Sequence, residues 1–525
     1  MKPRKTGISR RGLLGASAGL AAGAGLGGGL GFPNVVLADS ASASATPDFA
    51  PPASVAAAEA AVTRHADAIL RISREVWALA ELSVDEVKSA KVHLRELEAA
   101  GFKTTSVGTS GFPAAFIAEW TQGTGGPVVG YLPEYDALPG LGNTVDPVQK
   151  PTANGITNGH GCGHNALGAG CTGAALALKV MMQASGTPGT IRVYGCSAEE
   201  TEGVKVHMAR DGLFDDLDAA LAWHPAPIAA TGEVMTAAMA SVQVRFHGRT
   251  AHAGVSPWDG RSALKAAELF GAGIQYMREH VPTTSRMHYI YEIAGQAPNV
   301  VPDYAQLWLQ VRARDRDDLE ALVAWTKSVA TGAALMTQTT GEYQIFHGMH
   351  DLLPNTPMIN LVQAHMLARP PVWTEAEQAF AKACQTLMNL PDLGLMITVL
   401  PPLPPTHVGG GTDLGDVSKV APMGIFGWPT VGIGTSLHTW AITACGGMSI
   451  GDRASLDSAR ILAGVGYDVM TDADLRAAAK ADLVARMKGV VYEPILPAEQ
   501  KGPLRLPEWL HKTAGEEFIS IETAV

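Results

Sequence analysis

Apolar residues recur at helical spacing between residues 56 and 82, at Ala61, Ile69, Ile72, Val76 and Leu79, which predicts an amphipathic helix. Residues 90–100 read as a second helix. From Ala114 onward the pattern changes. Apolar runs at 127–132 and 190–196 alternate with glycine-rich turns and with a long apolar helical stretch at 166–182. Such alternation predicts an α/β unit with a mainly parallel sheet flanked by helices, whose site lies beyond the carboxyl ends of the strands. Near Met239 the texture shifts again. Residues 240–247, 287–294 and 305–314 alternate as half-buried strands, while 260–279 and 317–335 read as helices. Strand, helix, strand, strand, helix predicts a small α+β sandwich with one solvated sheet face, an inserted domain because the glycine-rich texture returns after Pro354.

The chain therefore divides into an N-terminal segment 1–38, a spacer 39–55, a first α/β part 56–238, an inserted domain 239–350, a second α/β part 351–472 and a tail 473–525. The tail reads as a short charged helix followed by proline-rich irregular chain. No internal repeat is visible.

Composition narrows the function classes. A chain of 525 residues with 46% hydrophobic and 17% charged residues is too long for one core and too apolar for disorder. A net charge of −11 argues against a nucleic-acid surface, and five cysteines make no disulfide framework. The first 38 residues carry Lys2, Arg4, Lys5, Arg10 and Arg11 and no acid. Ser9-Arg-Arg-Gly-Leu-Leu, an uncharged Gly12–Gly31 and Val36-Leu37-Ala38 resemble a twin-arginine export signal with its cleavage site. The expectation is a periplasmic or secreted protein, cut near Ala38, with no permanent membrane anchor.

Candidate chemistry clusters after the apolar runs. Cys162 and His164 stand one residue apart in the glycine-rich loop 158–165, where a thiolate and an imidazole can converge on an ion, zinc being the natural first choice. The same pair also fits a cysteine nucleophile with His164 as its base. Ser197-Ala-Glu199-Glu200 follows the run 191–195, and neighbouring side chains leave a strand end in different directions. One carboxylate can bind metal while the other accepts a proton from water. His224 precedes Pro225 at the end of another run, and His438 lies in the glycine-rich loop 432–440. Together these donors suffice for two ions sharing a bridge.

Eight ordered motifs then carry a resemblance. Tyr135-Asp-Ala-Leu-Pro-Gly-Leu, Gly161-Cys-Gly-His-Asn, Cys196-Ser-Ala-Glu-Glu, Trp223-His-Pro, Thr250-Ala-His-Ala-Gly, Pro298-Asn-Val-Val-Pro, Gly411-Thr-Asp-Leu-Gly-Asp-Val-Ser and Leu437-His-Thr-Trp span roughly residues 60–470. They resemble the co-catalytic metallopeptidases of the aminoacylase and glutamate carboxypeptidase superfamily, the M20 peptidases. Within it they resemble the branch that cleaves aminobenzoyl-glutamate, acylated amino acids and β-alanyl dipeptides. The resemblance implies Cys162, His164, Glu200, His224 and His438 as ligands of two divalent ions, zinc or manganese, with Glu199 as general acid/base. It implies Asp136 as the carboxylate that orients a ligand; Glu134 stands where many relatives have His-x-Asp or Asp-x-Asp.

The resemblance further implies that 56–238 and 351–472 are the two parts of a catalytic domain and 239–350 an inserted lid and dimerisation domain, that His252 and Asn299 reach the substrate from this lid, and that a homodimer forms through it. The reaction implied is hydrolysis of an N-acyl or N-aroyl amino acid, or of a small dipeptide, by a water held between the ions. A Cys-His hydrolase and a non-catalytic ligand-binding relative are the alternatives. Trp258, Trp428 and Trp440 are candidates for an acyl pocket, and Arg249, Arg261, Arg312 and Arg314 for a carboxylate anchor, with Arg312 assigned first to lid packing.

Overall fold

The structure, a computed structural model, describes residues 49–497 apart from Ala153, together with Gln500, Gly502, Pro503 and the backbone of 519–521. The expected leader, the first part of the expected spacer and most of the tail beyond Pro503 lie outside the described residues.

A six-stranded sheet runs in the order Lys103–Val107, Phe116–Gln122, Gly189–Gly195, Val128–Tyr131, Ala219–Ala226, Met423–Pro429. The last four are mutually parallel, and the first two join antiparallel at one edge. Every residue of Ala219–Ala226 is buried. A strand covered on both faces loses its polar alternation, which is why it reads as a continuous apolar run. Along it Ala219, Leu221 and Trp223 face one core, with the helices Val55–Leu79, His164–Ser185 and Ser449–Thr471. Ala220 and Ala222 face another, with the helices Val204–Arg210 and Leu414–Val420. The helix His164–Ser185 is long and apolar enough to cross a membrane, yet 89% of its apolar window is buried inside the protein.

The second sheet is antiparallel, in the order Ile519–Ile521, Thr340–Met349, Ala238–His247, Tyr304–Ala313, Arg286–Ile293. The helices Ala263–Met277 and Arg316–Thr337 cover one face and share a core with it. Three details differ from the sequence expectation. Thr340–Met349 adds a strand that the apolar pattern did not reveal, because its burial is irregular at the start and unbroken over its last four residues. The first lid helix starts at Ala263, since Arg261 pairs with Arg249 and Ser262 caps the helix by accepting the Lys265 N–H. In the tail, Ala473–Met487 forms the expected helix, but Ile519–Ile521 pairs with the lid sheet where irregular chain was expected.

Candidate metal centre

The four parallel strands all point their carboxyl ends at one place. Glu134 and Asp136 follow Val128–Tyr131, Glu199 and Glu200 follow Gly189–Gly195, His224 lies within Ala219–Ala226, and His438 follows Met423–Pro429. Cys162 and His164 enter at the start of the helix His164–Ser185, whose Gly163 N-cap turns at φ 81°.

Three donor triads form, Cys162-His164-His224, Cys162-Glu200-His438 and Glu134-His164-Glu199, the atoms of each within 4.8 Å of one another. Cys162 belongs to the first two and His164 to the first and third. Its Sγ is 3.5 Å from His224 Nε2, and Glu200 Oε1 is 3.4 Å from His438 Nε2. His164 Nδ1–H donates to Asp136 Oδ1 at 2.7 Å, which turns Nε2 towards the cluster. His224 Nδ1 is likewise held, 2.8 Å from the Pro225 carbonyl oxygen.

Four buried atoms facing the cluster, on Glu134, His164, Glu200 and His438, have no hydrogen-bond partner among the described residues. A buried polar atom left unpaired costs about 1–3 kcal/mol. A thiolate, three imidazoles and a carboxylate so arranged fit a pair of divalent ions.

The electrostatics agree. Burial would push the Cys162 thiol up, but the charges of His224 and His164 outweigh it and hold it well below the ordinary thiol range. Burial disfavours charge on His438, yet its close approach to Cys162 and Glu200 pushes the imidazole up to about 11. Protons held on imidazoles by anionic neighbours are those a cation displaces.

Glu199 approaches from the side, its Oε2 3.9 Å from His164 Nε2. Burial, then Glu134, then Glu200 raise its carboxyl well above the ordinary range. His160 faces away, its Nε2 2.9 Å from the Val76 carbonyl oxygen. His252 and Asn299 lie side by side in the lid, joined through Ala253 N–H and the Asn299 carbonyl. Both are exposed, and among the described residues neither makes a hydrogen bond or ion pair with the cluster. Trp428 belongs to the core rather than to an acyl pocket, because it is fully buried and packs edge-on to Phe426. Trp258 is 72% exposed, and Trp440 packs against the cluster around Cys162 and Cys445. All five cysteines are buried free thiols.

Sequence reasoning missed a second layer. Lys205 is completely buried, with Nζ 2.8 Å from Glu134 Oε1 and 2.5 Å from Asp413 Oδ1. Ser83 Oγ–H donates to Asp136 Oδ2 at 2.8 Å, and the Ala198 N–H donates to Glu86 Oε1 at 2.7 Å. Glu134, Asp136 and Asp413 stood in or beside the motifs, whereas Lys205, Ser83 and Glu86 left no trace.

Thiolate, imidazoles and carboxylates gathered beyond the carboxyl ends of parallel strands are the donor set of a metal-dependent hydrolase. The chain belongs to peptidase family M20/M25/M40, whose model matches residues 134–440, and it is a hydrolase of amide bonds. It is 36% identical over 433 residues to one of the subunits of the p-aminobenzoyl-glutamate hydrolase of Escherichia coli strain K12, covering 77% of this chain and 89% of that protein. It is 28% identical over 442 residues to the Xaa-Arg dipeptidase of Homo sapiens, covering 81% and 91%. Among solved structures, a dinuclear metal-binding peptidase of the M20 family from Bacillus subtilis matches with a TM-score of 0.51 at 19% identity, covering 78% and 99%.

Proposed function

We propose that the protein is a two-ion amidohydrolase that releases an amino acid from an N-acyl or N-aroyl amino acid or a small dipeptide. The observation that carries this reading is the pair of triads sharing Cys162, with the Glu199 carboxylate beside them. Two divalent ions, when bound by Cys162, His164, Glu200, His224 and His438, supply Lewis acidity that polarises the amide carbonyl and acidifies water. Glu199 takes a proton from the attacking water and returns it to the leaving amide nitrogen. Cys162 is committed to both triads, which argues against its use as a nucleophile.

His252 and Asn299 reach the substrate carbonyl by lid closure or from a second copy. One edge of the lid sheet is occupied by Ile519–Ile521. The other, Arg286–Ile293, exposes Ile290 and Tyr291 and offers itself to a partner strand in a homodimer. Arg312 suits the substrate carboxylate. Its guanidinium binds Gln310 and the Gly409 carbonyl, pairs with no carboxylate among the described residues, and lines a cavity of about 160 Å³ with Arg286, Arg314 and His407. The leader supports export, which places the reaction in the periplasm or outside the cell.

The test is hydrolysis of p-aminobenzoyl-glutamate, aromatic N-acyl amino acids and Xaa-Arg dipeptides, with and without a chelator. Glu199→Gln should bind its two ions and lose at least about 1,000-fold in turnover, whereas Cys162→Ser should lose ions. Full activity in chelated protein, or in Glu199→Gln, sinks the reading.

A further inference from the structure

Ala198 stands between the core and the two glutamates, and its backbone is left-handed, at φ 57°. A non-glycine residue there stores about 1–3 kcal/mol of strain and persists only where its surroundings over-determine it. Its carbonyl accepts from the N–H groups of Thr201, Glu202 and Gly203. Its own N–H donates to Glu86 Oε1, across 112 residues of chain.

Glu86 is fully buried and occupies the N-cap position of the helix Val87–Ala99, yet does not cap it. Glu81 does that instead, its Oε2 accepting from the Ser89 N–H at 2.8 Å. Glu86 is thereby freed to reach the turn. The segment that carries it is itself strained, with Val84 at φ 74°, a true outlier for a β-branched residue. Ser83, on the same segment, holds Asp136, and Asp136 Oδ2 accepts the Glu200 N–H at 2.9 Å. Two strained, non-glycine segments thus meet with Glu86 as one tie and Asp136 as the other.

We propose that Glu86 is a positioning residue: by accepting the Ala198 N–H it holds the left-handed turn that sends Glu199 towards the water and Glu200 towards the ions. Without it, Ala198 relaxes to a right-handed or extended backbone and the Glu199 carboxylate swings off its line of attack. Glu200 keeps its separate tie to Asp136. The proposal rests on Glu199 as the proton carrier.

The experiment compares Glu86→Leu, Glu86→Gln and Glu81→Leu in the ion-loaded protein. It records kcat, KM, ion content, thermal midpoint and amide exchange of a peptide spanning residues 196–203. A gap of an ångström at a reacting group is worth about 100-fold, so Glu86→Leu should lose that much in kcat with KM and two-ion content unchanged, and its turn should exchange faster. Glu86→Gln keeps a carbonyl acceptor and should return to within a few-fold of wild type. Glu81→Leu should lower the thermal midpoint and keep kcat. Wild-type kcat in Glu86→Leu, unaltered exchange, lost ions, or Glu86→Gln as impaired as Glu86→Leu overturns the proposal. If the unaltered protein hydrolyses none of the substrates, the proposed function falls, and exchange in Glu86→Leu decides whether Glu86 holds the turn.

Discussion

Lys205 has no contact with solvent, and its ammonium lies between two carboxylates, Glu134 and Asp413. Removing one partner of a buried ion pair leaves an uncompensated charge and costs about 3–5 kcal/mol. Lys205→Met should therefore lower the stability read from urea unfolding by that order. The loss should depend on pH. Burial raises the Asp413 carboxyl and Lys205 pulls it back, leaving it at about 6. Without the lysine that value rises further, so Asp413 sheds its charge more readily at pH 5.5 than at pH 8, and the variant should suffer most at the higher pH. The five candidate donors that the structure gathers stood out in short motifs, Glu200, His224 and His438 at or after the ends of apolar runs and Cys162 and His164 in a glycine-rich loop before one. Lys205 and Glu86 did not. Their partners lie 208 and 112 residues away, and a lysine between Val204 and Val206 reads as an ordinary helix surface.

Among elements, the helix His164–Ser185 does most to fix the site, because its first residue is a donor and the residue before its cap is the shared thiol. Gly163 makes that junction. It sits at φ +81°, and a Cβ there would come within 2.8 Å of the Pro225 ring, next to His224. Gly163→Ala should cost about 1–3 kcal/mol in thermal unfolding and weaken zinc binding in a chelator competition, since Cys162 and His164 would no longer bracket the same point. The parallel strands and this helix were visible in the apolar pattern, where burial on both sides gives unbroken runs. The strand Thr340–Met349 was hidden, because a strand with mixed burial carries no clean period of two.

For the molecule as a whole, acid is the expected weakness. Burial holds His93 and His207 at about 3 and His347 at about 4, against an ordinary 6.5. Neither ring nitrogen of His207 has a hydrogen-bond partner among the described residues. In the folded protein these rings stay neutral, while in the unfolded chain they take up protons below pH 6.5. At these three positions the unfolded state therefore binds more protons, and the stability they contribute is complete above pH 6.5 and declines as pH falls towards 4. Thermal midpoints measured across that range should slope accordingly, and His207→Phe should flatten the slope. Equal slopes for the variant and the wild type would remove His207 from this account.

The triads draw on segments that the chain supplies far apart, with the whole lid sheet lying in sequence between His224 and His438 apart from its last strand, Ile519–Ile521. A nascent chain that has emerged only as far as the lid carries Cys162, His164, Glu200 and His224 but lacks the closing donor of the second triad. On the proposed two-ion reading, completion of the second triad waits for residue 438, and completion of the main core waits for the helix Ser449–Thr471 beyond it. Ion stoichiometry becomes a measure of whether synthesis and folding have run to completion.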